Sequence, residues 1–403
     1  MLIKRIVAGL VIPMLMVFAF TGCWDRKELN EVGIVMALGI DKDCKNGMIH
    51  LTSQVVRPSE LKKQGGSMEP SYDLVTTTNE TVFEAIRDTV KKFDRRSIFS
   101  HVKVIVIGEN MAREGLTEVI DFITRTHEIR SFTWIMIAKD SEAKDVLGVK
   151  RGIEKIQANY MAGIIKRGSK YVDETATSII EFIKKTPGEG IQPVSGVFEL
   201  EKESCEPPQE KKLTQNESKI LALAGTAVFK KNKLVGYLNT EETRGFNILT
   251  KKKDNAAIHV ASPINKDSHI SIEVKSIKSN IKPEIREGKI YFNINVKAEG
   301  NITEDEDNID ISNVEIFYMV NEKFKEYVKK EVSISVDKIQ KDLKTDVLGL
   351  GDVFQRKFPK EWNSIKDQWD TVFPETVCEI NVDTRLVRTG LFLKPVNAKE
   401  VKE

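Results

Sequence analysis

The most apolar stretch of the chain lies at its amino terminus. Lys4 and Arg5 are followed by fifteen uncharged residues, 6–20, and then by the small residues of 21–22. A short basic segment, an apolar run and small residues are the three parts of a secretory signal peptide. As a helix, the run would span roughly 22 Å, which is short of a hydrocarbon core of about 30 Å. The pattern therefore predicts a signal peptide over residues 1–22 rather than a permanent transmembrane helix.

Cys23 follows these small residues, as the modified cysteine of a bacterial lipoprotein does. We expect Cys23 to carry S-diacylglycerol and an N-palmitoyl group. Stable anchoring requires more than one acyl chain, and these two modifications together supply that. Phe20 stands where such signals usually have Leu. Ordinary cleavage nearby, giving a freely secreted chain, is the alternative.

Beyond Cys23, short β-type apolar runs alternate with amphipathic helical patterns. Residues 34–38 and 49–56 are predicted to form a hairpin, and residues 102–107 and 132–138 to form further strands. Helical patterns lie between the later strands. This alternation is typical of α/β units. It predicts an α/β domain over residues 23–150.

The first helix of this domain is predicted to follow Asn79, which suits the N-cap position. The segment 57–79 before it is predicted to be a loop, since it is polar and contains several Gly and Pro residues. The spacing of apolar residues predicts that one helix face contains Val82, Phe83, Ile86, Val90 and Phe93.

The middle of the chain separates this domain from a second one. Residues 151–218 are predicted to form a helical region that ends in a polar linker containing Pro207 and Pro208. From residue 219 to residue 403 the strands come in a block, beginning with a hairpin at 224–238.

A long amphipathic helix is predicted at about 322–348, and residues 378–386 are predicted to form a closing strand. Strands in a block followed by one long helix indicate an α+β unit with a meandering sheet. The predicted fold is thus multi-domain, with an α/β unit followed by an α+β unit. Gly349 and Gly351 are predicted to break a helix.

The amino-acid composition predicts little overall electrostatic attraction to a charged partner. The chain has 62 Lys and Arg and 60 Asp and Glu, and the predicted signal peptide contains two of the bases and none of the acids. The mature chain is therefore formally neutral. This balance predicts neither nucleic-acid binding nor overall attraction to anionic lipid, so the acyl chains are expected to provide the anchor.

A search for catalytic and cofactor motifs finds none. The five histidines show no zinc-protease spacing, and the sequence lacks a nucleophile elbow, a phosphate-binding loop and a dinucleotide fingerprint. Cys44, Cys205 and Cys378 form no C-x-x-C pair, so at most one disulfide is possible and free thiols are equally compatible. No catalytic residue, metal site or cofactor is predicted.

The densest aromatic cluster is predicted to lie on one helix face. Pro359 suits the first turn of a helix, and the residues beyond it recur at intervals of three and four. Such a face forms either a ligand cage or a buried seal, and we expect it to be core. Its members are Phe358, Trp362, Ile365, Trp369 and Phe373.

Three groups of motifs run in order along the mature chain. The first is Gly22–Glu31 with Gly39-Ile40-Asp41, and the second is His101–Val104 with Ile107-Gly108-Glu109. The third comprises Gly225–Phe229, Leu234–Leu238, Glu241–Gly245, Asp346–Gly349, Phe358–Trp362, Trp369, Phe373-Pro374 and Arg388-Thr389-Gly390. Together they resemble the Ger(x)C family, the C-subunit lipoproteins of spore germinant receptors.

This resemblance implies a non-enzymatic accessory or scaffold subunit that spores require for nutrient-triggered germination. It implies two integral-membrane partners, the A and B subunits, and attachment through Cys23 to the outer surface of the cell membrane or spore inner membrane. The family fold consists of several mixed α/β domains. A solute-binding lipoprotein that itself captures a germinant is the alternative, and it requires a cleft with convergent polar groups.

Overall fold

The structure is a computed structural model that describes residues 32–57, 71–126, 128–149, 154–202, 219–250, 256–307, 309–311 and 313–388. The predicted signal peptide, Cys23 and Cys205 lie outside these ranges. No helix within the described ranges combines the length and apolar character needed to cross a membrane.

Two sheets organise the described residues, a large one of ten strands and a small one of four. The large sheet has the order β10-β9-β8-β6-β5-β1-β2-β3, with β4 beside β1 and β7 beside β6. Its strands are β1 (Val32–Lys42), β2 (Ile49–Val56), β3 (Tyr72–Asn79), β4 (Arg96–Ile98), β5 (Val104–Gly108), β6 (Trp134–Ala138), β7 (Thr177–Ser178), β8 (Val194–Lys202), β9 (Lys219–Lys230) and β10 (Lys233–Leu238).

The small sheet follows chain order. Its strands are β11 (Ala256–Ala261), β12 (His269–Arg286), β13 (Lys289–Asp305) and β14 (Val377–Arg388). The β12–β13 ribbon turns at Glu287 and Gly288, which both have positive φ, as a two-residue hairpin turn requires. β14 returns parallel to β13, so a long connection lies between them.

Eleven helices connect or cover these strands in the described ranges. They are α1 (Val82–Lys92), α2 (Glu109–Glu114), α3 (Thr117–Arg125), α4 (Ala143–Gly148), α5 (Gln157–Gly168), α6 (Ile179–Lys185), α7 (Thr240–Thr250), α8 (Val314–Asp337), α9 (Leu350–Lys357), α10 (Pro359–Ile365) and α11 (Trp369–Val372).

Helices cover both faces of the large sheet. α1, α2, α3 and α6 pack on one face, and α4 and α5 pack on the other. The strand between these layers, β5, is buried along its whole length, which explains why its sequence is a continuous apolar run. The small sheet shares a third core with α7 to α11. The predicted mixture of an α/β unit and an α+β unit with one long helix is confirmed.

The large sheet has two distinct edges because β1, β5, β6 and β8 are parallel. We call the edge where these strands end the carboxyl edge, reached at Lys42, Gly108 and Ala138. We call the opposite edge the amino edge, where the strands begin at Val32 and Val104. Sites in open α/β sheets typically lie outside the carboxyl ends of the strands.

Several local expectations differ from the structure. The predicted loop 57–79 contains β3, whose Thr-rich sequence pairs with β2. Helix α1 is capped by Thr81 rather than Asn79, and it buries Val82, Ala85 and Thr89. Phe83 and Val90, which were expected on the buried face, are 55 % and 57 % exposed, because the face with Val82, Ala85 and Thr89 is the one that packs on the sheet.

The second half also differs in two respects. The hairpin of β9 and β10, which the pattern assigned to the α+β unit, pairs through β8 with the large sheet. Helix α8 begins at Val314, where Asn313 caps it, and gives way at Lys338 to a wider turn. Local periodicity does not predict which sheet a hairpin joins, because that depends on long-range strand pairing. Nor does it predict the residue at which a helix begins, because that depends on the cap.

Candidate functional site

A polar pocket of about 750 Å³ lies at the carboxyl edge. It is formed where the β1–β2 turn, the start of α2 and the start of α4 meet. Each contributes charged residues that directly follow a buried strand. The lining consists of Asp41, Lys42, Asp43, Cys44, Lys45, His50, Gly108, Glu109, Asn110, Asp140, Ser141, Glu142 and Asp145.

Asp41 forms the floor of this pocket near the end of β1. Its buried carboxylate accepts hydrogen bonds from the backbone N–H groups of Ala143 (2.7 Å) and Lys144 (3.1 Å) at the start of α4. Burial raises the pKa of Asp41 to about 6, although these two donors oppose the shift. A Cβ atom on Gly108 would lie 2.1 Å from Asp41 Oδ1, so only glycine fits at that position.

Glu109 links two walls of the pocket. Its carboxylate accepts hydrogen bonds from the backbone N–H of Asp140 (3.0 Å) and from Arg113 Nη2 (2.6 Å). Burial alone would raise the pKa of Glu109, but the Asp140 N–H and the Arg113 guanidinium lower it below its ordinary value. Glu109 is therefore an ionised, fixed acceptor that holds the turn after β6, where Asp140 adopts a positive φ of 52°.

The charges of the pocket favour a cationic small molecule. Six carboxylates line it, against two lysines and His50, whose Nδ1 lies 2.8 Å from Thr78 Oγ1. Among the described residues, no three His, Cys, Asp or Glu side chains are placed so that they could hold one metal ion together. An open, polar pocket of this kind suits an ammonium group better than an apolar ligand.

The pH dependence of stability tests the environment of Asp41. Unfolded aspartate releases its proton near pH 3.9, whereas folded Asp41 keeps its proton to about pH 6. Unfolding between these values releases a proton, so the free energy of unfolding falls as pH rises from about 4 to 6. We expect Asp41→Asn to remove a decrease on the order of 2 kcal/mol in denaturant titrations. Asp43→Asn, at a half-buried position of the same pocket, should leave the decrease intact. An unchanged slope in Asp41→Asn would contradict this environment.

A second cluster, here called the junction, joins the two units of the fold. The buried carboxylate of Asp346 accepts hydrogen bonds from the backbone N–H groups of Gly349 (2.8 Å), Leu350 (3.1 Å) and Gly351 (2.7 Å). It also accepts one from the Nε1–H of Trp369 (3.0 Å). The predicted helix break is therefore the start of α9, with Gly349 at a φ of 75°.

The junction continues into the segment that precedes β8. The backbone carbonyl of Asp346 accepts a hydrogen bond from the N–H of Gln192 (2.8 Å), and the N–H of Asp352 donates to the carbonyl of Gly190 (3.1 Å). A Cβ on Gly351 would lie 2.6 Å from Gly190 Cα, so the two backbones approach closely. The motif Asp346–Gly349 thus connects the small-sheet unit to the large sheet.

The aromatic cluster is core, as predicted, but it does not lie on one continuous helix. Helix α10 ends at Ile365, residues 366–368 form a 3₁₀ turn, and Trp369 begins α11. Trp362 and Trp369 are each only 2 % exposed, and their rings meet edge to face with centroids 5.2 Å apart. Phe373 is buried beside Trp369, and Pro359 occupies the first turn of α10. These side chains pack α9 to α11 onto the small-sheet core.

The motif Glu241–Gly245 also serves packing. Arg244 Nε lies 3.0 Å from the buried carboxylate of Glu331 on α8. A Cβ on Gly245 would lie 2.1 Å from the backbone oxygen of Glu331, so α7 and α8 cross in close contact there. Helix α7 follows the large-sheet hairpin and α8 covers the small sheet, so this crossing is a second connection between the units.

Cys23, the one predicted site residue, lies outside the described residues. Cys44 is an exposed free thiol in the β1–β2 turn and lines the pocket. Cys378 is half-buried, and burial raises the pKa of its thiol to about 12, so it is not a nucleophile at neutral pH. Sequence reasoning missed the pocket; the available signal was the set of charged residues directly after the strands that end at Lys42, Gly108 and Ala138.

Comparisons with known proteins place this architecture in a family. Residues 25–200 match a model described as "Spore germination protein N-terminal domain", and residues 224–390 match "Spore germination B3/ GerAC like, C-terminal". Spore germination protein KC of Bacillus subtilis (strain 168) is 28 % identical over 396 residues, covering 96 % of each chain. Spore germination protein B3 of the same organism is 25 % identical over 393 residues, covering 93 % of this chain and 96 % of the relative.

A solved structure shares the fold. The crystal structure of the GerBC protein superposes with a TM-score of 0.50 at 21 % identity, covering 87 % of this chain and 96 % of that chain. The two family models match both units of the fold, and the relatives align over almost their whole length. The chain therefore belongs to the GerAC-like family of spore germination proteins.

Proposed function

We propose that this chain is the lipid-anchored C subunit of a nutrient germinant receptor and acts as a non-enzymatic accessory or scaffold. Cys23 attaches it to the outer surface of the spore inner membrane or cell membrane, beside the integral-membrane A and B subunits. The end-to-end match to spore germination proteins is the observation that carries this proposal.

The positions of the family motifs favour a scaffold role. Asp346, Trp369 and Arg244 all lie in contacts that hold the two units of the fold together. Such residues fix the relative placement of two surfaces. A receptor subunit that positions or tunes membrane partners needs this rigidity.

Direct capture of a germinant is the second candidate. The acidic pocket at the carboxyl edge favours a small molecule with an ammonium group. Calorimetric titration of the chain with amino-acid germinants separates the two functions. A saturable heat of germinant binding that is lost in Asp41→Asn or Glu109→Gln supports direct capture. If the parent chain gives no saturable heat, the accessory role alone is supported.

Deletion of the subunit tests the proposed function in spores. We expect the response to one set of nutrients to disappear, while sporulation and non-nutrient triggers stay intact. Germination is followed by loss of optical density, and a plasmid copy should restore it. A strain that lacks this subunit and its paralogues yet responds normally to every nutrient would contradict the proposal.

A further inference from the structure

The two edges of the large sheet differ in charge. The carboxyl edge holds the six carboxylates of the acidic pocket. By contrast, cations outnumber acids around the starts of β4, β5, β6 and α5, at the amino edge. The charged residues there are Arg95, Arg96, Lys103, Arg130 and Lys155, with Asp94, Glu128 and Glu154. The two ends of the central parallel strands β1, β5 and β6 therefore differ in local charge.

Backbone pairing places these cations at one edge. Arg96 begins β4 and pairs with Val32, the first residue of β1. Lys103 precedes β5, and its carbonyl accepts the N–H of Trp134 at the start of β6 (3.0 Å). Arg130 lies in the turn before β6. No ion pair within the described ranges engages Arg96 or Arg130, so both guanidinium groups are available to an external anion.

A large apolar side chain, Phe132, projects from this edge. Phe132 is 81 % exposed, the highest value among the exposed large apolar residues of the described ranges. Its turn is fixed, because the N–H of Thr133 donates to the carbonyl of Arg130 (3.0 Å) and the buried Thr133 hydroxyl donates to the carbonyl of Val102 (2.9 Å). An aromatic ring held beside arginines is the arrangement that binds at the headgroup level of a bilayer.

The amino edge is also the edge nearest to the proposed anchor. Val32 lies nine positions after Cys23, so the two are at most about 30 Å apart along the chain. The carboxyl end of β1 lies roughly 33 Å farther along the strand. With its acyl chains in the membrane, Cys23 therefore keeps the amino edge within reach of the headgroups.

We propose that the amino edge rests on the anionic surface of the bilayer, with Phe132 among the headgroups and Arg96 and Arg130 against lipid phosphates. This contact turns the acidic pocket away from the membrane, toward the side from which nutrients arrive. The proposal rests on lipid attachment at Cys23 for its geometry, but the contact itself belongs to the folded surface and persists without the acyl chains.

Vesicle binding of an unacylated chain tests this contact. The chain from residue 23 with Cys23→Ala, which keeps every described residue, is sedimented with vesicles of phosphatidylglycerol and phosphatidylcholine or of phosphatidylcholine alone. We expect binding only to the anionic vesicles, weakening as salt is added. Arg96→Gln with Arg130→Gln should weaken binding about 25-fold, from about five-fold per charge. Phe132→Ser should also weaken it.

Matched changes at the opposite edge serve as controls. Phe83→Ser removes another exposed phenylalanine, and Lys45→Gln with Lys144→Gln removes two cations near the acidic pocket. These variants should bind as the parent does. Equal binding by the arginine pair and Phe132→Ser variants, or no preference for anionic vesicles, would overturn the proposal. Failure of Cys23 lipidation instead appears in membrane fractionation of the full chain and leaves this vesicle result unchanged.

Discussion

Replacement of Asp346 by alanine is expected to destabilise the fold by about 3–5 kcal/mol. The change leaves three backbone N–H groups and the Trp369 indole N–H buried without their acceptor. Each buried unsatisfied donor costs about 1–3 kcal/mol, while relief from burying a carboxylate offsets part of the sum. Because a typical total stability is about 5–15 kcal/mol, the loss should be plain in denaturant unfolding.

Two further variants separate the junction from general effects of substitution. Asp346→Asn keeps a carbonyl acceptor and should lose less stability than Asp346→Ala. Asp342→Ala removes an exposed aspartate, paired with Lys338, and should cost at most about 1 kcal/mol. If Asp346→Ala unfolds at the same denaturant concentration as Asp342→Ala, the junction does not hold the two units together.

Replacement of Cys23 by alanine is expected to abolish stable membrane attachment. The thiol is the acceptor for diacylglycerol, and two or more acyl chains provide the anchoring energy. The variant should accumulate uncleaved or appear in the soluble fraction after a high-salt wash, which also removes contacts made by surface charge. Germination through this receptor should be weak.

Cys44→Ala is the matched control for this change. Cys44 is an exposed thiol in the β1–β2 turn, far from the lipid-attachment motif in sequence, and its loss should leave fractionation unchanged. A cleaved Cys23→Ala chain that stays with washed membranes would show that another feature anchors the protein.

The sequence predicted the elements whose patterns are local. The strand β5 is predicted from a continuous apolar run, and the burial of Trp362 and Trp369 is predicted from the spacing of nearby aromatic residues. The structure agrees with both predictions. The hairpin at 224–238 was also recognised as a hairpin. Its assignment to the large sheet depends on pairing between β8 and β9, which periodicity cannot encode.

The junction and the acidic pocket show the same limit. The sequence identifies Asp346 as part of a family motif. Its role as a hydrogen-bond acceptor depends on backbone N–H groups at the start of α9 and on the indole N–H of Trp369, twenty-three residues away. Likewise, Asp41 lies near the end of β1, Glu109 follows β5 and Asp140 follows β6. Only the parallel order of these strands brings the three residues together. The sequence shows the residue type at each of these positions, but it does not show that the side chains lie close together in the fold.

Copurification from spores tests the central claim most directly. The full chain, tagged at its carboxyl terminus, is isolated from detergent-solubilised inner membranes of spores and its partners are identified by mass spectrometry. A C subunit of a germinant receptor should bring two integral-membrane proteins with it in comparable amounts, and the Cys23→Ala chain should bring neither from the membrane fraction. Recovery of the acylated chain without any integral-membrane partner would contradict its assignment as a receptor subunit.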